Sequence, residues 1–275
     1  MDRVTENGVR INAMGASGSC APVAHPVSRA DRQTHRTYDA LVHATPDAGH
    51  RWVVQHHVGP AEQLHHLELA PRRGVHVLEP VRPALVLGST QPADAADPAA
   101  LRAAGVELAR RRSGGGAVLL VPGEHVWIDV VLPAGDPLWL DDVEESAWWL
   151  GEAWAAALRS AAPAVGVPTV HRSGVTDREL GRWVCFAAAG PGEVLVSGRK
   201  LVGISQRRSR HLARFQCVVH RHLRPTATTS LLADVHGRPD RPRLDDALRD
   251  GACDLASLGV DPGWGVVEDL LAQLP

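Results

Sequence analysis

Lys200 is the only lysine in a chain whose other 28 basic side chains are arginine. Arginine carries a permanently charged planar fork, whereas lysine presents a compact amine whose charge responds to its surroundings. A lone lysine among arginines is therefore a candidate for chemistry, although an Arg-biased composition can also leave one behind by chance. It stands in Ser197-Gly198-Arg199-Lys200-Leu201-Val202-Gly203, with Ile204-Ser205-Gln206 following. An amine held there on a strand can bind a carbonyl or phosphoryl oxygen and stabilise the charge that develops in acyl transfer. The plainer reading is a solvated strand lysine.

Two other places could carry chemistry. Cys185 lies 15 residues before Lys200, in Trp183-Val184-Cys185-Phe186, and is followed by Gly190-Pro191-Gly192. A free cysteine is commonly a small buried apolar group. A thiolate, however, is a nucleophile, and a nearby ammonium favours the thiolate. If the 190–192 loop folds Cys185 back over the Lys200 segment, Lys200 supplies that cation. Upstream runs Arg110-Arg111-Arg112-Ser113-Gly114-Gly115-Gly116-Ala117-Val118. Three glycines let the backbone approach a ligand and offer N–H groups to an anion, and the arginines add charge. A flexible turn is the alternative.

The elements that must position these residues are partly legible. Glu193 and Val194-Leu195-Val196, then Ser197-Gly198, then Arg199-Lys200-Leu201-Val202 read as a β-hairpin, because Gly198 supplies positive φ in a two-residue turn. Residues 74–88 read as two short strands broken at prolines 80 and 83, with a polar loop over 91–98 and a short helix near 101–105. Strands are predicted at 117–121, at 126–132, where alternation points to one core face, and at 215–220. A helix over 143–159 takes Asp141 or Asp142 as its N-cap, with Val143, Ala147, Leu150, Trp154 and Leu158 on one core-facing stripe. Strands interleaved with a few helices, without regular βαβ spacing, give an α+β fold with a largely antiparallel sheet.

Composition excludes several function classes. With 275 residues, 44% of them hydrophobic, the chain can bury a sizeable core. A formal net charge of −2 gives no global field for nucleic acid or an anionic membrane. No apolar run reaches the roughly 20 residues of a membrane span, and the first 30 residues hold no signal-peptide core, so a cytoplasmic protein is expected. Cys20, Cys185, Cys217 and Cys253 are far apart, without zinc or disulfide spacing. The His56-His57 and His65-His66 pairs are placed on helices, where neighbours diverge by about 100°, and no metal site is expected. The chain divides into a flexible N-terminal arm (1–36), a catalytic domain (37–224) and a short C-terminal linker with a helical tail (225–275).

Taken together, these segments resemble a known family. The stretch from Arg110 to Val118 is similar to the RRxSGGGAV signature of lipoate–protein ligases. Gly198-Arg199-Lys200-Leu201-Val202-Gly203-Ile204-Ser205-Gln206-Arg207 resembles the GRKxxGSAQxR segment of the same biotin/lipoate protein ligase superfamily, and Leu85-Val86-Leu87-Gly88-Ser89-Thr90-Gln91 resembles its VxGRxQ strand and loop. The likeness spans about 41–220. It implies a class II aminoacyl-tRNA synthetase/biotin-protein-ligase-like fold and transfer of an octanoyl or lipoyl group to a lysine of a lipoyl carrier domain, such as the glycine cleavage H protein or a dehydrogenase E2 subunit.

Two chemistries compete within that superfamily. Cys-type octanoyltransferases take the acyl group from acyl carrier protein through a cysteine thioester, and Cys185-Phe186 resembles their nucleophile in neighbour and in spacing to the lysine. Ligases activate lipoate with ATP and Mg as an acyl-adenylate, and Gly116 is ligase-like. No Asn-Asp pair precedes Lys200, as it does in the ligases. Leu119-Leu120 stand where the family has an aromatic-His pair, and Gln216-Cys217-Val218-Val219 where it has QHGS. The resemblance implies Cys185 and Lys200 as catalytic residues, and Arg111, Ser113, Gly114, Gly115, Gly116, Ala117, Gly198, Gly203 and Ser205 as acyl- or nucleotide-binding residues. ATP-dependent ligation, non-catalytic binding of an acylated partner and, more weakly, biotin ligation remain alternatives.

Overall fold

A computed structural model describes residues 52–161, 166–260 and 265–275. The predicted N-terminal arm (1–36) lies outside them. In chain order the elements are β1 (Val53–Gly59), α1 (Ala61–His65), β2 (Gly74–Pro80), β3 (Ala84–Leu87), α2 (Pro98–Ala104), β4 (Glu107–Arg110), β5 (Val118–Leu120), β6 (His125–Pro133), α3 (Trp148–Ala161) and β7 (Pro168–Val170). They continue with α4 (Arg178–Gly181), β8 (Val194–Val196), β9 (Arg199–Arg208), β10 (Leu212–His220), α5 (Pro225–Ser230), α6 (Arg241–Gly251) and α7 (Val266–Leu271).

Seven strands form one sheet in the order β1-β2-β6-β10-β9-β8-β7, antiparallel except for the β1–β2 pair. A second sheet, β4-β3-β5, pairs β3 with β4 in parallel and with β5 antiparallel. The two predicted strands of residues 74–88 therefore exist as β2 and β3, but the proline break sends them into different sheets. The fold is α+β, a large, mostly antiparallel sheet with flanking helices, as expected.

β6 is covered on both faces. Val126, Ile128, Val130 and Leu132 pack toward Leu150, Trp154 and Leu158 of α3, the face that the alternation predicts. Trp127 points the other way, into a cluster with Leu64, Leu78 and Leu120. Such double coverage removes the polar alternation that a half-exposed strand would show. Asp142 does cap the α3 segment, its Oδ1 accepting from the amides of Glu144 and Glu145 at 2.7 and 3.0 Å. The chain enters through a 3-10 turn over Glu145–Ala147, however, which leaves Val143 63% exposed and outside the predicted stripe.

Two further expectations are corrected. Two helices, α5 and α6, stand where a linker is expected, ahead of the expected helical tail, which is present as α7. Pro225 and Pro242 sit in the first turns of α5 and α6, where a missing N–H costs no bond, and Asp240 caps α6. Leu231, Leu232, Leu244 and Leu248 then join the core around Trp183 and Phe186. His56 and His57 lie on β1, so neighbours point to opposite faces by strand geometry instead of diverging around a helix. Among the described residues no helix is long and apolar enough to cross a membrane.

Burial of histidines makes the fold acid-sensitive. It depresses the pKa values of His76 and His125 to about 4 and of His220 to about 3, with neighbouring His57, Arg221 and His125 respectively adding to the effect. An unfolded histidine titrates near 6.5, so between that pH and 4 the unfolded chain binds protons that the folded chain refuses. The stability from keeping these rings neutral is fully present above pH 6.5 and lost as the pH falls toward 4. We expect the urea midpoint to drop reversibly between pH 7.5 and 5, corresponding to several kcal/mol in order of magnitude.

Candidate active site

Ser197 (φ 51°) and Gly198 (φ 78°) both occupy the left-handed region, the signature of a two-residue hairpin turn. The predicted hairpin is present, with Leu195 opposite Lys200 across β8 and β9. Lys200 is not a solvated strand residue: it is 2% exposed. Its Nζ donates to the carbonyl oxygens of Cys185 (2.9 Å) and Ala188 (3.0 Å) and pairs with Glu193 Oε2 at 2.7 Å. Three acceptors match the three protons of an ammonium. Burial alone pulls Lys200 toward the neutral amine, but the charges of Cys185 and Glu193 outweigh it and raise the pKa above the ordinary lysine value. Glu193 is held in turn, its Oε1 accepting from the Ile204 amide (3.0 Å) and its Oε2 from that of Gly190 (2.7 Å).

Cys185 reaches this lysine because the glycine loop pins its segment. The Ala117 amide donates to Trp183 O (2.9 Å) and the Cys185 amide to Ala117 O (3.0 Å), an isolated parallel bridge between Ala117 and Val184 that fixes the start of the 3-10 turn carrying Cys185. Gly116 makes this approach possible: a Cβ there would lie 2.5 Å from Val184 N and 2.7 Å from Gly181 O. Lys200 Nζ stands 3.7 Å from Cys185 Sγ. Cys185 is half-buried, whereas burial pushes the thiol of Cys253 up to about 11 and that of Cys217 higher still. Among the described residues Cys185 is thus the accessible thiol.

Two cavities meet at that thiol. An outer cleft of about 300 Å³ is bounded by Gly114, Gly115, Lys200 and Glu193. A narrow inner crevice runs between Val86, Val118, Leu120, Trp127, Phe186 and Val218. Cys185 and Ser205 line both. A polar chain borders the crevice: Ser205 Oγ to Ser113 Oγ (3.0 Å), Ser113 Oγ to Gln216 Oε1 (2.8 Å) and Gln216 Nε2 to His65 Nδ1 (3.2 Å). Arg214 ties this chain to the fold by pairing with the buried Asp129 and donating to the carbonyls of Leu64, His65 and Leu67 at the end of α1.

The structure therefore brings together Lys200, Cys185, Arg111, Gly114, Gly115, Gly203 and Ser205 around the two cavities, with Ser113 joined to them through Ser205 and Gln216. Arg111 lines the crevice, but its guanidinium is buried and donates to Gly114 O (2.9 Å) and Gly116 O (2.7 Å), stiffening the loop. The remaining residues of the sequence reading are placed differently. Arg110 donates to Gly88 O and Gln91 O, and Arg112 to His66 and Glu68, so these arginines are engaged within the fold. Ala117 uses its amide in the bridge, and Gly198 stays at the exposed turn, lining neither cavity. Leu120 forms crevice wall and Cys217 core, at the two places where the family signature differs. Local sequence marks Glu193 only as part of a hairpin, Gln216 only as the start of a departure from the family signature and His65 only as half of a histidine pair weighed for metal, since each acquires its partners through the fold.

Fold and site together define a class: a catalytic domain of the biotin/lipoate protein ligase type. The chain belongs to the Lipoyl protein ligase A/B catalytic domain family, which it matches over residues 61–236. It is accordingly an enzyme of protein lipoylation, acting on a protein lysine. Its fold is similar to that of lipoate-protein ligase A bound with ATP (TM-score 0.60, 16% identity, 81% of this chain and 82% of that one). A bipartite lipoate protein ligase from Thermoplasma acidophilum, described with its E2 lipoyl domain, is equally similar (TM-score 0.60, 15% identity, 82% and 81%). LipL1 of P. falciparum in complex with lipoate follows (TM-score 0.53, 12% identity, 81% and 59%). No curated protein matches the chain.

Proposed function

We propose that this enzyme transfers an octanoyl or lipoyl group to a lysine of a lipoyl carrier domain through a thioester on Cys185. The observation that carries this reading is the half-buried Cys185 thiol at the junction of cleft and crevice, 3.7 Å from Lys200 Nζ. Cys185 Sγ attacks the carbonyl of an incoming acyl thioester, such as that of acyl carrier protein, the donor's carbon–sulfur bond breaks, and the carrier thiol leaves with the proton that the Cys185 thiol gives up. The acyl chain is directed to the apolar crevice, which at about 30 Å³ must widen to take it. Attack by the target lysine's amine then forms the amide, and the proton it sheds restores the Cys185 thiol.

Lys200 acts here through its charge. Its three protons are engaged by Cys185 O, Ala188 O and Glu193, so it acts as a fixed positive charge 3.7 Å from the sulfur on which negative charge develops, and binding of an acyl carbonyl would require release of one of these bonds. The amides of Gly114 and Gly115, which line the outer cleft, donate to no other group among the described residues, and are available to a developing oxyanion or an acyl carbonyl. Ser113 and Ser205 order the crevice mouth. A cytoplasmic setting with a lipoyl domain as partner suits this chemistry.

ATP-dependent lipoate ligation is the second reading, favoured by the third glycine and by the roomy outer cleft beside Lys200. There ATP and Mg would activate lipoate, and Cys185 would only pack. Intact-mass spectrometry separates the two. Incubation with octanoyl-acyl carrier protein and a lipoyl domain, without ATP, should add one octanoyl group to Cys185 and then to the lipoyl domain. Modification that occurs only with lipoate and ATP, with no increment on Cys185, would replace the transferase reading by the ligase.

A further inference from the structure

One buried polar atom of the crevice wall has no partner. His65 is 5% exposed and lines the crevice but not the outer cleft, and among the described residues its Nε2 makes no hydrogen bond. The rest of the ring is fixed. It packs on Trp127 with centroids 4.2 Å apart, and its Nδ1 lies 3.2 Å from Gln216 Nε2. The orientation of the Gln216 amide is set independently, because its Oε1 accepts from Ser113 Oγ at 2.8 Å while its Nε2 faces Asp129 Oδ2 at 3.5 Å. Nδ1 of His65 is therefore an acceptor, and in the neutral ring the proton sits on Nε2. Burial, reinforced by the charges of Arg111 and Arg214, holds the ring well below the usual histidine pKa and so keeps it neutral. A buried N–H without an acceptor has lost its hydration for nothing. This one stands in the wall along which the acyl chain would lie, separated from Ser205 at the mouth by Ser113 and Gln216.

We propose that His65 is a specificity-determining residue whose Nε2–H favours an acyl chain carrying a hydrogen-bond acceptor beyond its first carbons, as a dithiolane sulfur does, over a plain hydrocarbon chain. The proposal rests on the acyl-transfer reading above and names the substrate class within it. Sulfur is a weak acceptor, so the contribution expected from one such bond is roughly tenfold in the lipoyl-to-octanoyl ratio. A leucine at this position would fill a similar space and remove the donor, whereas a glutamine keeps one.

The test measures binding of free lipoic and octanoic acid by calorimetry, and transfer of lipoyl and octanoyl thioesters to a lipoyl domain. It compares wild type, His65→Leu and His65→Gln, each checked for a native urea midpoint. Expected is a fall of about tenfold in the lipoic-to-octanoic affinity ratio for His65→Leu, with octanoic acid bound as well as before or better, and retention of most of the ratio by His65→Gln. A ratio unchanged in His65→Leu overturns the proposal even if both thioesters are transferred. A ratio that moves as expected while neither thioester is transferred sustains the role of His65 and removes the transfer reading instead.

Discussion

Cys185→Ala should lower ATP-independent acyl transfer by at least about a thousandfold and abolish the octanoyl increment on the enzyme, while leaving the fold intact. The size of the effect follows from the thioester mechanism, since among the described residues no other thiol lines the cleft. The mildness of its structural cost follows from the geometry. Lys200 holds the backbone carbonyl of Cys185, and Ala117 holds its amide, so neither bond depends on the side chain. The half-buried sulfur also leaves a smaller void than a core side chain would. Cys185→Ser should behave almost alike, because a hydroxyl beside an ammonium remains protonated and is a far weaker nucleophile. Rapid-quench measurement of the first turnover is the decisive readout, since it sees the acyl-enzyme directly. Undiminished transfer by Cys185→Ala without ATP would eliminate the thioester.

How far the sequence reaches depends on the distance over which each residue finds its partners. The hairpin carrying Lys200 is legible because Ser197 and Gly198 dictate a turn locally, and the meeting of Cys185 with Lys200 is foreshadowed by a short intervening loop with Gly190 and Gly192. The arginines before the glycine loop look like charge for an anion, yet Arg111 turns back on the carbonyls of its own loop, and nothing in its neighbours announces this. Prolines mislead in the same way after Pro225: a helix breaker and a first-turn residue are the same letter, and burial of Leu244 and Leu248 against Phe186 and Trp183 decides between them. β1 offers two adjacent histidines and no clean alternation, so its strand character rests on pairing with β2. Glu193 and His65 are the residues of the site farthest from sequence logic. Glu193 is a carboxylate on a loop until Gly190, Ile204 and Lys200 surround it, and His65 meets Gln216 across 151 positions of chain.

Lys200→Met should separate two things that one side chain does. It removes the cation from a carboxylate that stays buried, and breaking such a pair from one side typically destabilises by about 3–5 kcal/mol. The amides of Gly190 and Ile204 still compensate Glu193, which places the expected loss toward the lower end. Adding Glu193→Gln should recover most of that stability, because the neutral amide oxygen can still accept from one of those amides and no charge is left unpaired. Turnover should not follow stability: neither the single nor the double variant has an ammonium beside Cys185 Sγ, so acylation of the cysteine should remain at least about a hundredfold slow in both. Lys200→Arg completes the argument. It keeps the charge, but Phe186 (4.9 Å from Nζ) and Gly203 crowd the amine, and a planar fork cannot reproduce its three bonds. Urea midpoints together with single-turnover acylation rates read both effects in the same proteins. Recovery of acylation along with stability in the Lys200→Met/Glu193→Gln variant would reduce Lys200 to a structural ion-pair partner and leave Cys185 without its cation.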